Sequence, residues 1–148
     1  MNNKIIIING PNLNLLGERE QSQYGSITIN QLKEKCSKKA QELDIKVEFA
    51  QSNVEGELVN IIQDSRKKFN GMIINAAAFT HTSVAIRDAL DLFKKPIIEL
   101  HLSNIYKREE FRHKSLISSV VSGGIFGLGA EGYILAIISL QKNLQNEN

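Results

Sequence analysis

This chain of 148 residues has a single cysteine, nearly balanced charges and few long apolar runs. The single Cys36 excludes an intrachain disulfide and a cysteine-based zinc site, which suits the reducing cytoplasm. Lysine and arginine number 18 against 16 acidic residues, a balance that gives no footprint for nucleic acid or a membrane surface. The apolar run at residues 5–8 is too short for a signal-peptide core or a membrane span. We therefore expect one cytoplasmic domain over residues 1–148, compatible with a small anionic substrate.

Two ligand motifs are missing as well. The histidines do not stand in pairs at metal-ligand spacing. A phosphate loop of the Gly-x-x-x-x-Gly-Lys-Ser/Thr kind is absent. The sequence thus gives no indication of a metal or a nucleoside triphosphate.

Apolar patterning predicts strands that alternate with helices. Short buried runs predict strands at residues 4–9, 46–51, 72–75, 97–101 and 120–126. Helical spacing and capping-box pairs (Thr28 with Gln31, Ser52 with Glu55) predict helices that follow at residues 29–43, 55–69, 83–93 and 130–144, with a frayed tail at 145–148. Because each parallel crossover needs a helix, these units imply a five-stranded parallel sheet with helices on both faces, a three-layer α/β/α fold.

Polar side chains follow several of the predicted strands. In open parallel sheets, ligands bind beyond the carboxyl ends of the strands. Those ends carry residues 9–12, Asn75, Glu99, His101 and Ser103. Their convergence is the main reason, from the residues themselves, to expect an enzyme.

Arg19 and Tyr24 lie in the glycine-containing segment of residues 9–25 after the first strand. Tyrosine is a poor base at neutral pH unless a neighbouring cation favours the tyrosinate, which Arg19 could do. Taken alone, each residue is better explained as a tyrosine packed on the loop or an arginine in solvent.

His101 ends the fourth strand, and Glu99 stands two residues earlier on the same face of the sheet. A carboxylate at that position could orient the imidazole and favour its protonated form, as a general acid requires. A structural histidine at the end of a sheet explains the pair as well. His81, between two threonines before a helix, fits either a helix cap or a substrate contact.

The charged run at residues 108–112 has the pattern of a solvated face, and Arg112 matters only if this segment folds back over the strand ends. His113 has no partner motif and is expected at the surface. Cys36 falls on the apolar stripe of a helix and is expected to be a small core residue.

Residues 127–132 match the Gly-x-Gly-x-x-Gly pattern between a strand and a helix. A dinucleotide fingerprint also needs a following strand with an acidic residue about twenty positions on, which the chain does not supply. Close packing of the last helix on the sheet is the simpler interpretation. The alternative is a flavin- or nucleotide-binding module. A phosphoacceptor domain would need acidic residues at the positions of Asn9 and Asn75, so we set this alternative aside.

Four blocks of the sequence together resemble type II 3-dehydroquinate dehydratases. The first is Asn-Gly-Pro-Asn-Leu-Asn-Leu-Leu-Gly-Glu-Arg-Glu at residues 9–20 with Tyr-Gly at 24–25. The others are Asn-Ala-Ala-Ala-Phe-Thr-His-Thr-Ser-Val-Ala at 75–85, Ile-Glu-Leu-His-Leu-Ser-Asn at 98–104 and Arg-Glu-Glu-Phe-Arg-His at 108–113. The resemblance covers essentially the whole chain, in order.

The resemblance implies a flavodoxin-like fold and cofactor-free dehydration of 3-dehydroquinate to 3-dehydroshikimate, the third step of the shikimate pathway to chorismate and aromatic amino acids. It implies that Tyr24 is the base, that Arg19 favours its ionised form, and that a water bound to Asn12 holds the enolate. His101, oriented by Glu99, protonates the departing hydroxyl in this scheme.

The resemblance also implies a set of substrate-binding residues and an assembly. The binding residues are Asn75, His81, Leu102, Ser103 and Arg112. Asp88 would reach the site of a neighbouring subunit in a homododecamer built from trimers. The chain departs from the usual family residues at Gln21 and Ala76, where proline is common, and at Phe79, where tyrosine is common. None of the three has an implied chemical role.

Overall fold

The computed structural model describes residues 3–146, which form one parallel sheet covered by helices. Its strands are β1 Lys4–Asn9, β2 Lys46–Gln51, β3 Gly71–Asn75, β4 Ile97–His101 and β5 Gly123–Phe126. Its α-helices are α1 Gln21–Tyr24, α2 Ile29–Glu42, α3 Glu55–Lys68, α4 Val84–Asp91 and α5 Glu131–Asn146. Short 3₁₀ helices lie at Leu13–Leu15, Ala77–His81, Ile105–Lys107, Glu110–Arg112 and Ser118–Val120. No helix in this part of the chain is long and apolar enough to cross a membrane.

The strand order is β2-β1-β3-β4-β5, with every neighbouring pair parallel. This is the flavodoxin-like order, and it confirms the predicted five-stranded parallel sheet. The order reverses at β1, whose neighbours are β2 and β3. A crevice therefore opens at the carboxyl ends of β1 and β3, where the chain leaves the sheet in opposite directions.

Alternate residues of β1 contribute their side chains to two separate apolar cores. Ile5 and Ile7 face the core under α2 and α5, whereas Ile6 and Ile8 face the core under α3 and α4. Cys36 lies in the first core, and burial raises the pKa of its thiol to about 12. The prediction that Cys36 is a core residue is therefore confirmed.

The predicted capping box of α2 is present. The Gln31 backbone N–H donates to Thr28 Oγ1 over 3.1 Å, and the Thr28 N–H donates to Gln31 Oε1 over 2.9 Å. The box predicted at Ser52 and Glu55 is wrong. Ser52 Oγ accepts from the N–H of Val54, which is itself the cap residue, and donates to the Glu57 carboxylate.

Three predicted boundaries are corrected. The fifth strand begins at Gly123 rather than at residue 120, because the Ser118–Val120 turn curls toward the sheet and brings Ser118 to Glu99. The last helix extends to Asn146, beyond the expected frayed start at residue 145, and residues 147–148 lie outside the described part. The segment after β1 is not all loop, since it contains α1 and a 3₁₀ turn.

Candidate active site

A cavity lies at the carboxyl ends of β1, β3 and β4. Asn75 ends β3 and His101 ends β4, and both line the cavity. Leu102 and Ser103 follow directly after β4 and line it as well. The predicted convergence of these residues is therefore present, and it follows from the shared direction of the strands.

Glu99 and His101 form a buried pair on one face of β4. His101 Nε2 donates to Glu99 Oε2 over 2.7 Å. Nδ1 is therefore the ring nitrogen that is not bound to Glu99. Ser115 Oγ and Ser118 Oγ also donate to the Glu99 carboxylate, over 3.0 and 2.5 Å. Burial by itself raises the pKa of Glu99, but the bonds from His101 and the two serines outweigh it, so the pKa lies below its ordinary value. The carboxylate is thus held ionised against the imidazole.

Ser115 and Ser118 were missed in the sequence. They lie 16 and 19 residues after Glu99 along the chain, in a segment without a motif. Nothing in their local pattern indicates that they meet a buried carboxylate. They bind it because the chain turns back over β4 before it enters β5.

His81 stands beside His101, with the two rings stacked at 6.3 Å between centroids and 20° between planes. The Lys114 carbonyl accepts from His81 Nδ1 over 2.8 Å, so the other ring nitrogen, Nε2, can accept a hydrogen bond. Burial lowers the pKa of His81, and the bond to Lys114 opposes that effect only in part. His81 lines the cavity and is not a helix cap, which Ser83 provides for α4.

Residues 11–25, called the lid loop from here on, form the opposite wall. The Arg19 guanidinium carbon lies 4.0 Å from the centroid of the Tyr24 ring, and both residues line the cavity. Tyr24 is 9% exposed, in contact with the core beneath α2. Among residues 3–146, its hydroxyl has no hydrogen-bond partner. The phenol is thus placed by packing and by charge near its ring.

Gly10 brings the lid loop close to β3. Its N–H donates to the Asn75 carbonyl over 2.8 Å, and a Cβ on Gly10 would lie 2.5 Å from the Ala76 carbonyl oxygen. A larger residue would push the two strand ends apart. Asn12, in left-handed backbone geometry with φ 70°, lines the cavity while its N–H donates to Asn53 Oδ1 over 2.9 Å.

Arg108 lines the cavity, although no sequence pattern indicated a role for it. Its guanidinium carbon lies 5.2 Å from the Tyr24 ring centroid, and Nη1 donates to Ser103 Oγ over 3.4 Å. Its buried Nε lies 3.9 Å from the Glu109 carboxylate, too far for a hydrogen bond, and has no other partner in residues 3–146. The charged run was expected to be a solvated face. The expectation is wrong for Arg108, because the segment folds back over the strand ends.

Arg112 reaches the cavity through the same folding. Its Nε donates to Glu109 Oε2 over 2.9 Å, and the side chain lines the cavity. His113 is exposed, as expected, although its Nε2 contacts the Arg108 carbonyl at 2.9 Å. Three guanidinium groups, those of Arg19, Arg108 and Arg112, therefore border one cavity. That charge suits an anionic ligand.

Two predicted site residues do not line this cavity: Glu99 adjoins it through its hydrogen bond to His101, whereas Asp88 lies away from it. It lies on α4 with its side chain 66% exposed, 3.6 Å from the Arg87 guanidinium. It cannot be assigned to the site of its own chain.

The glycines at 127–132 have a packing role. A Cβ on Gly132 would lie 3.3 Å from Leu100 and 3.4 Å from Ile125, so this glycine lets α5 approach the sheet. The Gly127 and Gly129 N–H groups donate to the His101 and Leu102 carbonyls. These contacts support the packing interpretation over a dinucleotide site.

The fold and the cavity define a flavodoxin-like α/β enzyme that gathers a phenol, two imidazoles, a carboxylate and three guanidinium groups at its strand ends. No cluster of potential metal ligands occurs within residues 3–146. The family model for dehydroquinase class II matches residues 3–141. The chain belongs to that family.

Three relatives illustrate the likeness. A 3-dehydroquinate dehydratase of Endomicrobium trichonymphae is 54% identical over 90% of this chain and 94% of its own length. A protein of that name from Acaryochloris marina is 50% identical over 97% of this chain and 96% of its own. The crystal structure of type II dehydroquinase from Propionibacterium acnes superposes with a TM-score of 0.93 at 41% identity, over 96% of this chain and 98% of that one.

Proposed function

We propose that this enzyme dehydrates 3-dehydroquinate to 3-dehydroshikimate, a step of the shikimate pathway. The observation that carries the proposal is the placement of Tyr24, beside Arg19, in one cavity with His101, which Glu99 binds from behind. An elimination of water needs a base for a carbon acid and an acid for a leaving hydroxyl. The cavity supplies one candidate for each.

The first step takes a proton from the carbon next to the ketone. Tyr24, as the phenolate, accepts that proton, and the electron pair moves onto the ketone oxygen to give an enolate. The Arg19 guanidinium at 4.0 Å from the ring stabilises the phenolate, and Arg108 adds a second positive charge at 5.2 Å. A water bound at Asn12 donates to the enolate oxygen, as a preorganised donor of the oxyanion-hole type.

The second step expels the hydroxyl. The enolate pair re-forms the ketone, the new carbon–carbon double bond forms, and the carbon–oxygen bond breaks. His101 gives its proton to the departing oxygen, which leaves as water, and Glu99 stabilises the imidazolium beforehand. The proton held by Tyr24 then restores His101, so the balance is the loss of one water.

The remaining side chains bind the substrate. Asn75 and the neutral His81 bind its hydroxyls, and the backbone at Leu102 and Ser103 with Arg112 binds its carboxylate. The charge of the three arginines supports this assignment. Asp88, exposed on α4, reaches the site of a neighbouring subunit. We infer that the protein acts in the cytoplasm as a homododecamer built from trimers. Sedimentation at the mass of twelve chains would establish this assembly.

The experiment follows the ultraviolet absorbance of the conjugated enone after 3-dehydroquinate is mixed with purified protein in metal-free buffer at neutral pH. We expect absorbance to rise in proportion to enzyme. Quinate, which has no ketone and so no acidic carbon, is the matched control and should give no change. A flat trace with 3-dehydroquinate at high enzyme concentration would contradict the proposal.

A further inference from the structure

Tyr133 is a fully buried tyrosine beneath the cavity, and the reaction proposed above does not use it. It lies on α5 at 0% exposure and does not line the cavity. Its hydroxyl contacts two amides at the strand ends. It lies 2.6 Å from Asn9 Oδ1 and 3.0 Å from Asn75 Nδ2.

The direction of each hydrogen bond in this chain of contacts is fixed. The Ala77 N–H can only donate, and it donates to Asn75 Oδ1 over 3.2 Å. Asn75 therefore turns Nδ2 toward Tyr133. A hydroxyl has one proton, so Tyr133 accepts from Asn75 and donates to Asn9. Burial raises the pKa of Tyr133 above its ordinary range, which keeps that proton on the oxygen.

Rotation of the Asn75 amide by half a turn would break this order. Oδ1 would then face Tyr133, and the Ala77 N–H would lose its acceptor. Tyr133 would have to choose between Asn75 and Asn9 as acceptor, and at 0% exposure its hydroxyl has no solvent to replace the lost bond. The observed orientation is therefore strongly preferred.

We propose that Tyr133 is a positioning residue that holds Asn75 with one N–H directed at the ligand. Asn75 uses one Oδ1 lone pair and one Nδ2 proton inside the protein, so its second Nδ2 proton is the one N–H left to donate into the cavity. The ligand group bound there must accept a hydrogen bond. This identification rests on the proposed function, in which that group is a hydroxyl oxygen of the substrate.

The kinetic test is a double-mutant cycle of Tyr133→Phe and Asn75→Ala. Because Tyr133 acts through Asn75, we expect Tyr133→Phe to raise KM about three- to tenfold, the worth of one hydrogen bond, with a smaller change in kcat. In the Asn75→Ala background, Tyr133→Phe should leave KM unchanged. An equal loss in both backgrounds would mean that Tyr133 only supports the fold, and would overturn the proposal. Tyr106→Phe, at an exposed tyrosine, is the matched control.

A second cycle needs no substrate. The urea midpoint is measured for the wild type, the two single variants and the double variant at one protein concentration. A direct bond makes the two shifts non-additive, whereas additive shifts would overturn the proposal. If the wild type does not turn over 3-dehydroquinate, the proposed function fails, and this cycle still decides whether Tyr133 holds Asn75.

Asn9→Leu provides a further variant in case Tyr133→Phe does not fold. It removes the acceptor at the far end of the chain of hydrogen bonds, at a residue that does not line the cavity. Tyr133 is then free to donate to a rotated Asn75. We expect Asn9→Leu to raise KM in the wild-type background. In the Asn75→Ala background, Asn9→Leu should leave KM unchanged. An unchanged KM in a folded variant would contradict the proposal.

Discussion

The two walls of the cavity are held in place by different kinds of contact. The sheet edge, defined as Asn75, Glu99 and His101, is buried and fixed by directional hydrogen bonds. The lid loop places Tyr24 by packing and by guanidinium groups near its ring. A charge near a ring tolerates shifts that a hydrogen bond does not.

This difference separates the two halves of the proposed chemistry. The acid is set in position before substrate arrives, because Glu99 and its serine partners orient His101. The base depends on where the lid loop lies and on the positive charge around the phenol. Substitutions at the sheet edge should therefore change both stability and activity, whereas removal of the Tyr24 hydroxyl from the lid loop should change activity alone.

The largest effect is expected from Tyr24→Phe in the lid loop. Loss of the base should lower kcat about 10²–10⁴-fold, the usual contribution of a positioned base. The urea midpoint should hardly move, because the hydroxyl has no partner within residues 3–146. Tyr106→Phe, at a residue 55% exposed, is the control for removing a tyrosine hydroxyl. Retained turnover in Tyr24→Phe would remove Tyr24 as the base.

Glu99→Gln tests the sheet edge. It keeps the shape but removes the negative charge that accepts from His101 Nε2, and we expect kcat to fall about 10–100-fold, as when a carboxylate that orients a functional histidine is lost. Stability should also fall by about 1–3 kcal/mol, because a buried amide cannot accept all three donated bonds. Steady-state kinetics and urea unfolding measure the two effects. A change in activity without loss of stability would break the distinction between the two walls.

Ala77→Gly tests for backbone strain beside the sheet edge. Ala77 has a φ of 53°, a left-handed geometry that costs an L-residue about 1–2 kcal/mol. Glycine loses more entropy on folding, which costs about 0.5–1 kcal/mol, so we expect a net gain of up to about 1.5 kcal/mol. The neighbouring Ala78, whose φ is negative, is the control, and Ala78→Gly should destabilise. Equal shifts in the urea midpoint for both variants would refute the strain.

The smallest effect is a pH dependence at His81. Because burial lowers its pKa in the folded protein, the unfolded chain binds the proton more readily. Stability should therefore fall as pH drops through the ordinary value of 6.5 toward the lower folded value. Glu99, whose pKa is also lowered, adds a further loss only below about 4.5.

Urea midpoints between pH 8 and about 5.5 isolate the histidine contribution, since the ordinary pKa of a carboxyl lies well below that window. His81→Gln should flatten this part of the curve, and His113→Gln, at an exposed histidine, should not. A wild-type curve that rises as the pH falls would show the sign to be wrong.

Local patterns were enough to predict much of the fold. Unbroken apolar runs such as that of β1 predict buried strands. A strand covered on both faces has apolar side chains at successive positions, whereas a half-exposed strand alternates apolar and polar residues. Thr28 and Gln31 mark the start of α2 because both partners of the cap are three residues apart. Ser52 and Glu55 have the same spacing and failed, since Ser52 binds Glu57 instead. Spacing permits a cap but does not choose among competing partners.

The sequence by itself determined the parallel sheet and the pairing of Glu99 with His101, because a strand puts every second residue on one face. It also placed the candidate site at the strand ends. Only the tertiary structure decided that Arg108 lies over Tyr24 and that Ser118 binds Glu99. Tyr133 meets Asn9 across 124 positions of the chain. Such contacts depend on how separate elements pack, and no local pattern of residues encodes them.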